Sequence, residues 1–563
     1  MDFKNFFKSI ILYEPDYEYQ FDLSQNTSNE NMLQDNNSFT SEYNSVFSSV
    51  AVNLDYIKSK YNLLINSDVI LREFILNARG KQYNAFLIFI DGMIDVEILN
   101  KFILEPLMLR NKTNLYDGEQ NRVISEAVTN NITVRKVKKF DLPTYIQSCL
   151  IPQNSLKEVS SFEEVFNSIN SGNCILFVDT LNLAFDIEVK GFKQRSVDKP
   201  QNEMVINGPH EAYVENLRTN ASLIRRIVNN ENLIVENITV GKITKTKCAL
   251  FYIKDITNEA LVSEVRFRLN NLEIDSLLSS GQLEQLISED NFLSIPQVIS
   301  TERPDKTAEY ILNGRIAIIV NGSPYALVLP IVLTDLLGTP DDKNVKPLFS
   351  NFLKLIRLLA ALITLLLPGL YIAITSFHQE IFPTELLFSI LSSRSNVPFP
   401  IIVEILLLEF SFELIREAGL RVPSPIGPTI GIVGALILGE AAVSAGIVSP
   451  ILIIIVAITG ISSFVIPDYS FGFHLRINRF AFIILGFMAG FLGISLGLFA
   501  YMCKISNSKS FGIPYTIGIT PLDNVKGNSY YLPPIWKREY RATFLNTKRE
   551  RKQPNISMKW KNK

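Results

Sequence analysis

Six ionisable side chains in otherwise apolar surroundings are the residues of this 563-residue chain best placed to do chemistry. Glu404, Glu409, Glu413, Arg416 and Glu417 fall within VPFPIIVEILLLEFSFELIREAG (Val397–Gly419), and Glu440 is the only ionisable residue between Ile426 and Pro467. Steps of four residues put Glu409, Glu413 and Glu417 on one helical face, with Arg416 three positions after Glu413 and Glu404 on another side. A charge near the centre of a bilayer costs about 2.5–3.5 kcal/mol or more, so such groups meet water, a counter-charge or a proton. The chemistry this pattern supports is the handling of cations, by lining or gating an aqueous path. A protonated Glu440 bonded to a backbone carbonyl or to Ser444 is the structural alternative. For Val397–Gly419, four carboxylates favour a helix lying in the interface, or packed around a wet cavity, over a simple lipid-bathed crossing.

Catalysis finds no footing. The chain holds three histidines, His210, His378 and His474, too few for a Ser/His/Asp or Cys/His arrangement. Asp91-Gly92 and Asn321-Gly322 are turn dipeptides without a phosphate-loop signature beside them. His378 and Glu380 make two loop ligands at most, and the four cysteines lie far apart without pairing or metal spacing. We therefore expect no catalytic, cofactor-binding or metal residues, no cofactor and no nucleic-acid partner; the protein reads as not an enzyme.

Positioning the acids requires a membrane block, assigned to residues 351–504. A hydrocarbon core about 30 Å thick takes about 20 helical residues. Four crossings fit: Leu355–Ile374, two arms of a hairpin within Ile426–Pro467 turning near Ala445 and Gly446, and Phe480–Cys503. Gly427, Gly431 and Gly434 are its candidate helix-packing glycines, Gly427 and Gly431 in a GxxxG spacing. Lys354 and Arg357 before the first crossing, and thirteen Lys or Arg against three acids after Cys503, place both flanks in the cytoplasm. Arg476 and Arg479 conflict with that count, because four crossings put them in an external loop unless Phe480–Cys503 goes out and returns or the hairpin count is off by one, five or six crossings being the alternatives.

The remainder divides by composition. Residues 1–54 are Asn-, Ser- and acid-rich and read as disordered, with no signal peptide at the start. Residues 55–204 and 205–337 read as two related α/β or α+β subdomains: SGNCILFVDT (Ser171–Thr180) aligns with NGRIAIIVNG (Asn313–Gly322), and AFLIFIDGMIDVEILNKFI with ALFYIKDITNEALVSEVRF. Residues 338–350 form a polar linker. The basic tail, 505–563, reads as a solvated end or a contact for anionic lipid headgroups.

The sequence resembles the A subunit of GerA-type nutrient germinant receptors of endospore-forming bacteria. The resemblance rests on FIDGMIDVEILNKFILEPLM (Phe89–Met108), INGPHEAYVENLRTNASLIRRI (Ile206–Ile227), TERPDK (Thr301–Lys306), SFHQEIFPT, REAG (Arg416–Gly419), VGALILGEAAVSAGIVSP and SSFVIPDYS, in conserved order to PPIWK (Pro533–Lys537). Asn321 and Glu440 depart from the pattern, where relatives often carry Asp and Gln. The resemblance implies a spore inner-membrane protein with its N-terminal domain facing the spore core. It further implies partnership with a transporter-like B subunit and a lipoprotein C subunit, and homo-oligomerisation into a ligand-gated channel for monovalent cations. A secondary transporter, a non-conducting scaffold and the SpoVA-operon paralogue are the alternatives.

Overall fold

The computed structural model describes residues 21–23, 44–78, 81–109, 141–191, 200, 202–205, 207–289, 295–395, 397–421, 439–519 and 531–553. Two five-stranded antiparallel sheets come first. In one, β1 (Val69–Ala78), β2 (Lys81–Ile90), β3 (Leu156–Val159), β4 (Cys174–Val178) and β5 (Ala184–Ile187) lie in the order β1-β2-β4-β5-β3. In the other, β6 (Leu233–Val240), β7 (Thr246–Ile253), β8 (Ile299–Thr301), β9 (Ile316–Val320) and β10 (Ala326–Leu329) repeat it as β6-β7-β9-β10-β8. The segments aligned in sequence carry β4 and β9, which occupy the same central position.

Both central strands are apolar throughout because both faces are covered. Successive strand side chains point to opposite faces, so Ile175 and Phe177 of β4 enter one core while Cys174, Leu176 and Val178 enter the other. Helices α1 (Val50–Lys60) and α2 (Phe162–Asn170) cover the first sheet. The second is covered by α3 (Leu217–Ile227), α4 (Glu259–Asn270), α5 (Ser280–Ile287) and α6 (Pro304–Leu312). Two residues after α2 and after α6 stand Gly172 and Gly314, at φ +93° and +94°. Glycine alone takes that left-handed turn without strain, which stops each helix and aims the chain into the central strand.

Three expectations change here. Residues 44–54 are ordered, with Val46 in the first core and α1 starting at Val50, because they supply the apolar cover that the sheet needs. The 338–350 linker is partly helical, and its Asp342 is buried against Arg357 at 2.6 Å. The basic tail is not simply a solvated end: Phe511, Ile513, Ala542 and Leu545 are buried in a core of the second sheet, beside Leu23. Residues 1–20, 24–43, 520–530 and 554–563 lie outside the described residues.

Beyond the sheets stands a helical block of α7 (Pro347–Phe377), α8 (Thr384–Arg394), α9 (Ile401–Arg421), α10 (Pro450–Phe464) and α11 (Tyr469–Asn507). By length and composition, α7 and α11 are apolar enough to cross a membrane. The 39-residue α11 is not straight. It reverses at Ala489 and Gly490, where Gly490 has φ +57°, and its arms 469–488 and 491–507 lie back to back. His474 reaches the Tyr501 hydroxyl at 3.0 Å across this hairpin, and Phe482 packs on the same ring. The predicted crossing Phe480–Cys503 is therefore a there-and-back pair, because a left-handed glycine interrupts it. Both ends of the hairpin meet the second sheet's core through Phe471, Leu475, Ile505 and Tyr515, while its tip touches Phe377 and His378 at the far end of α7.

Helices α9 and α10 run parallel, Glu404 lying beside Ser449, and Phe412 and Arg416 beside Phe464. The flanking residues Arg421 and Gly439 thus lie at opposite ends of the block, Gly439 resting near Ile453. The chain enters the block at Pro347 and leaves it at Asn507, both on the sheet side. Among the described residues the chain passes five times through the helical block, where the sequence favoured four crossings. Helix α9 is one of them, packed against α7, α10 and α11 rather than set apart in an interface.

Candidate functional site

The acids of α9 meet arginines that the sequence left unassigned. An α-helix brings residues three and four apart to one face, so Arg476 and Arg479 of α11 face Glu409 and Glu413 of α9. Arg479 is fully buried, its Nη2 lying 2.9 Å from Glu409 and 3.0 Å from Glu413, and Arg476 Nη1 reaches Glu413 at 2.7 Å. Glu409 is also fully buried. Its approach to Arg479 is close but poorly aligned: neither Glu409 oxygen, nor Arg479 Nε or Nη1, makes a hydrogen bond among the described residues. The contact is an ion pair held by charge more than by directed bonds.

Glu404 sits separately, toward the far end. Arg394 of α8 approaches it at 3.1 Å, and its second oxygen accepts from the Ser449 amide at 3.2 Å, at the start of α10. That carboxylate ties three helices together. Arg416 stacks over the Phe464 ring at 4.0 Å, instead of pairing along its own helix with Glu413. Glu417 is exposed and pairs with Arg421 at 2.7 Å.

Glu440 belongs to a different environment. It is exposed, in the helical stretch 439–444, five residues before the turn at Ala445 and Gly446. It lies close to the far end of the block. Gly427, Gly431 and Gly434 lie outside the described residues. Glycines do make a close helix contact elsewhere. A Cβ on Gly369 of α7 would fall 2.6 Å from the Phe482 carbonyl oxygen, and one on Gly486 of α11 would fall 2.6 Å from that of Gly369. The two helices touch backbone to backbone there, as small residues permit in packed bundles.

The structure thus brings Glu409 and Glu413 together, holds Glu404 apart from them, and leaves Glu417 and Glu440 on the surface. Arg394, Arg476 and Arg479 escaped sequence reasoning as site residues. A signal existed, since two acids four apart and two arginines three apart, in helices otherwise apolar, are complementary faces. Arg476 and Arg479 stand in the sheet-side half of α11, whose start packs in the same core as its end, so the conflict that four crossings created for them does not arise.

Where the block meets the second sheet, Asp468 caps α11, its Oδ1 accepting from the Phe471 amide at 2.8 Å. Burial, with the Asp468 charge adding to it, pushes the carboxyl of Glu284 on α5 up to about 7. Two acids therefore share the seam between sheet and helices. Among the described residues, no cluster of three or more His, Cys, Asp or Glu could hold a metal ion.

The model of the Bacillus/Clostridium GerA spore germination protein family matches residues 55–544. The chain is 36% identical over 478 residues to spore germination protein KA of Bacillus subtilis (strain 168), covering 84% of this chain and 83% of that protein. It is 36% identical over 467 residues to spore germination protein B1 of the same organism, covering 83% of this chain and 91% of that one. The crystal structure of the N-terminal domain of the A subunit of the Bacillus megaterium spore germinant receptor GerK3 is 28% identical, covering 51% of this chain and 97% of that one, with a TM-score of 0.36.

Proposed function

This chain belongs to the GerA spore germination protein family, and on that premise we propose that it serves as the A subunit of a nutrient germinant receptor in the spore inner membrane. In this reading it joins a transporter-like B subunit and a lipoprotein C subunit. Several copies assemble around a path for monovalent cations, which opens when the partner senses a nutrient. The sheets and the C-terminal segment face the spore core.

Membrane residence is supported by the outer faces of the helices, where Met488 and Phe499 are each 70% exposed and many other large apolar side chains join them. Surfaces of that kind need lipid or protein to cover them. The tail's packing on the second sheet supports a shared side for both flanks, and Lys354 and Arg357 at the start of α7 support the core side.

One observation carries the conduction reading: Glu440 is an exposed carboxylate on a helix whose neighbours are apolar. A charge costs about 2.5–3.5 kcal/mol at a bilayer centre and less toward the ends. Near the far end of the block Glu440 is therefore accommodated facing water, which in this reading copies of the chain enclose. The family resemblance implies Gln at this position in relatives, so polarity is the expected requirement and charge a modifier. The receptor complex reconstituted in vesicles tests this: Glu440→Gln should keep nutrient-triggered cation release, and Glu440→Leu should abolish it with assembly intact. Unchanged release from the Leu variant would sink the conduction reading. It would leave the second, a non-conducting scaffold, which is favoured by the pairing of Glu404, Glu409 and Glu413 with arginines inside one chain.

A further inference from the structure

A cavity of about 230 Å³ lies between the second sheet, the first turns of α7 and the C-terminal segment, away from the ion pairs of the block. Its lining is basic. Lys306 and Arg315 come from the sheet domain, Lys343 and Lys354 from the approach to α7, and Lys537, Arg538 and Lys552 from the C-terminal segment. Four acids also line it, but Asp335 is engaged by Arg315 at 2.7 Å, Asp342 by Arg357 at 2.6 Å and Glu309 by Lys343. Lys537, Arg538 and Lys552 have no carboxylate partner among the described residues, and Glu539 is the one lining acid left to balance them. Positive groups so crowded lack something negative.

The cavity's position narrows what that is. Asn351 of α7 exchanges two hydrogen bonds with the Leu532 backbone, at 3.1 and 2.8 Å, pinning residues 531–538 to the start of the helix. Tyr531, Ile535 and Trp536 are exposed there, alongside exposed Leu348, Phe349 and Phe352. An aromatic and apolar rim beside a basic recess is the composition of a membrane–water boundary, where Trp and Tyr concentrate and headgroups lie.

We propose that this cavity binds a phosphate-type oxyanion, supplied by the headgroup of an anionic phospholipid or by free phosphate. Arg538 offers a planar fork to its oxygens, and Lys537 and Lys552 offer point charges. Occupancy would tie the C-terminal segment, the second sheet and α7 together. The lipid source rests on the membrane reading, whereas binding of free phosphate does not.

The test uses the full chain in nanodiscs, comparing the native sequence with R538Q/K552Q. Inorganic phosphate added to phosphatidylcholine discs, and phosphatidylglycerol doped into the discs, form its two arms, with melting temperature as readout. We expect a rise of several degrees in at least one arm, and an apparent affinity at least about tenfold weaker in the variant. A rise with free phosphate identifies a soluble anion, and a rise only with phosphatidylglycerol identifies a headgroup. No rise in either arm, or equal rises in native and variant chains, overturns the proposal. Without any anion the variant should be at least as stable as the native chain, since like charges have been removed. Should it fail to fold, Lys537→Gln, at an exposed position, carries the same comparison.

Discussion

Two buried arginines hold this molecule together in opposite ways. Arg225, on α3, reaches across to the segment before β1 and joins the sheets. Its Nε and Nη2 each bond Asp68 at 2.8 Å, Nη2 also reaches Asn66 at 3.2 Å, and Nη1 reaches the Asn230 carbonyl at 3.5 Å. Arg479, in the helical block, is as deeply buried but serves two carboxylates through one nitrogen, and its Nε and Nη1 bond nothing among the described residues. A fully bonded pair is costly to open and behaves as a lock. An incompletely bonded one gives up little when its helices shift, so it suits a joint that must move. The contrast assigns rigidity to the sheet–sheet contact and, on the proposed conduction reading, gating to the contact between α9 and α11.

The largest expected effect is at the lock. Removing one partner of a buried pair leaves an uncompensated charge and costs about 3–5 kcal/mol. Arg225→Met should therefore destabilise the full chain by that amount in denaturant titration and expose the junction between the sheets to protease. Arg479→Met should cost less, because Arg476 still holds Glu413 and the Glu409 bonds were incomplete from the start. Its distinctive readout is cation leakage from vesicles without nutrient, with Glu409→Gln in the same chain restoring tightness. Equal destabilisation by the two arginine variants, with no leakage, would erase the distinction between lock and latch.

How much of this was legible beforehand follows the same division. The duplicated sheets could be read because Gly172 and Gly314 precede matching apolar strands, a local pattern that appears in one dimension. The ion pairs of the block could not be read so directly. Glu409 and Arg479 are 70 positions apart, and only the fold states which helix faces which. The charge of Arg476 and Arg479 hinted that Phe480–Cys503 goes out and returns, but the place of the reversal was hidden. The segment has the length and apolarity of one crossing, and nothing in composition separates a glycine that packs from one that turns. Glu404, Glu409 and Glu413 stood out as residues that meet water, a counter-charge or a proton, and the fold supplies the counter-charge from arginines. The packed tail was obscured by its charge, since thirteen basic residues outweigh the few apolar ones that anchor it.

The seam between the two regions gives an intermediate effect with a definite sign. Glu284 is raised from 4.5 to about 7 by burial and by Asp468, so the folded state holds a proton that the unfolded state has released between those values. Its stabilising contribution is present below about pH 4.5 and is lost as pH rises through 7, by about 3 kcal/mol at most. Glu284→Gln should flatten this dependence and make the chain more stable than native at pH 8. A native stability that instead rises from pH 5 to 8, relative to the variant, would contradict the burial of that carboxyl.

The smallest effect is expected at the exposed end of α9, where Arg421 and Glu417 pair four residues apart on the surface. Exposed pairs of this spacing contribute about 0.3–0.5 kcal/mol, much of it screened by salt. Arg421→Gln should leave stability almost unchanged and cause no leakage, although it removes an arginine from the same helix that Arg479 grips. If this substitution opened the path as readily as Arg479→Met, net charge on α9 would be the controlling quantity. Directed pairing between α9 and α11 would then have no special part in holding the block shut.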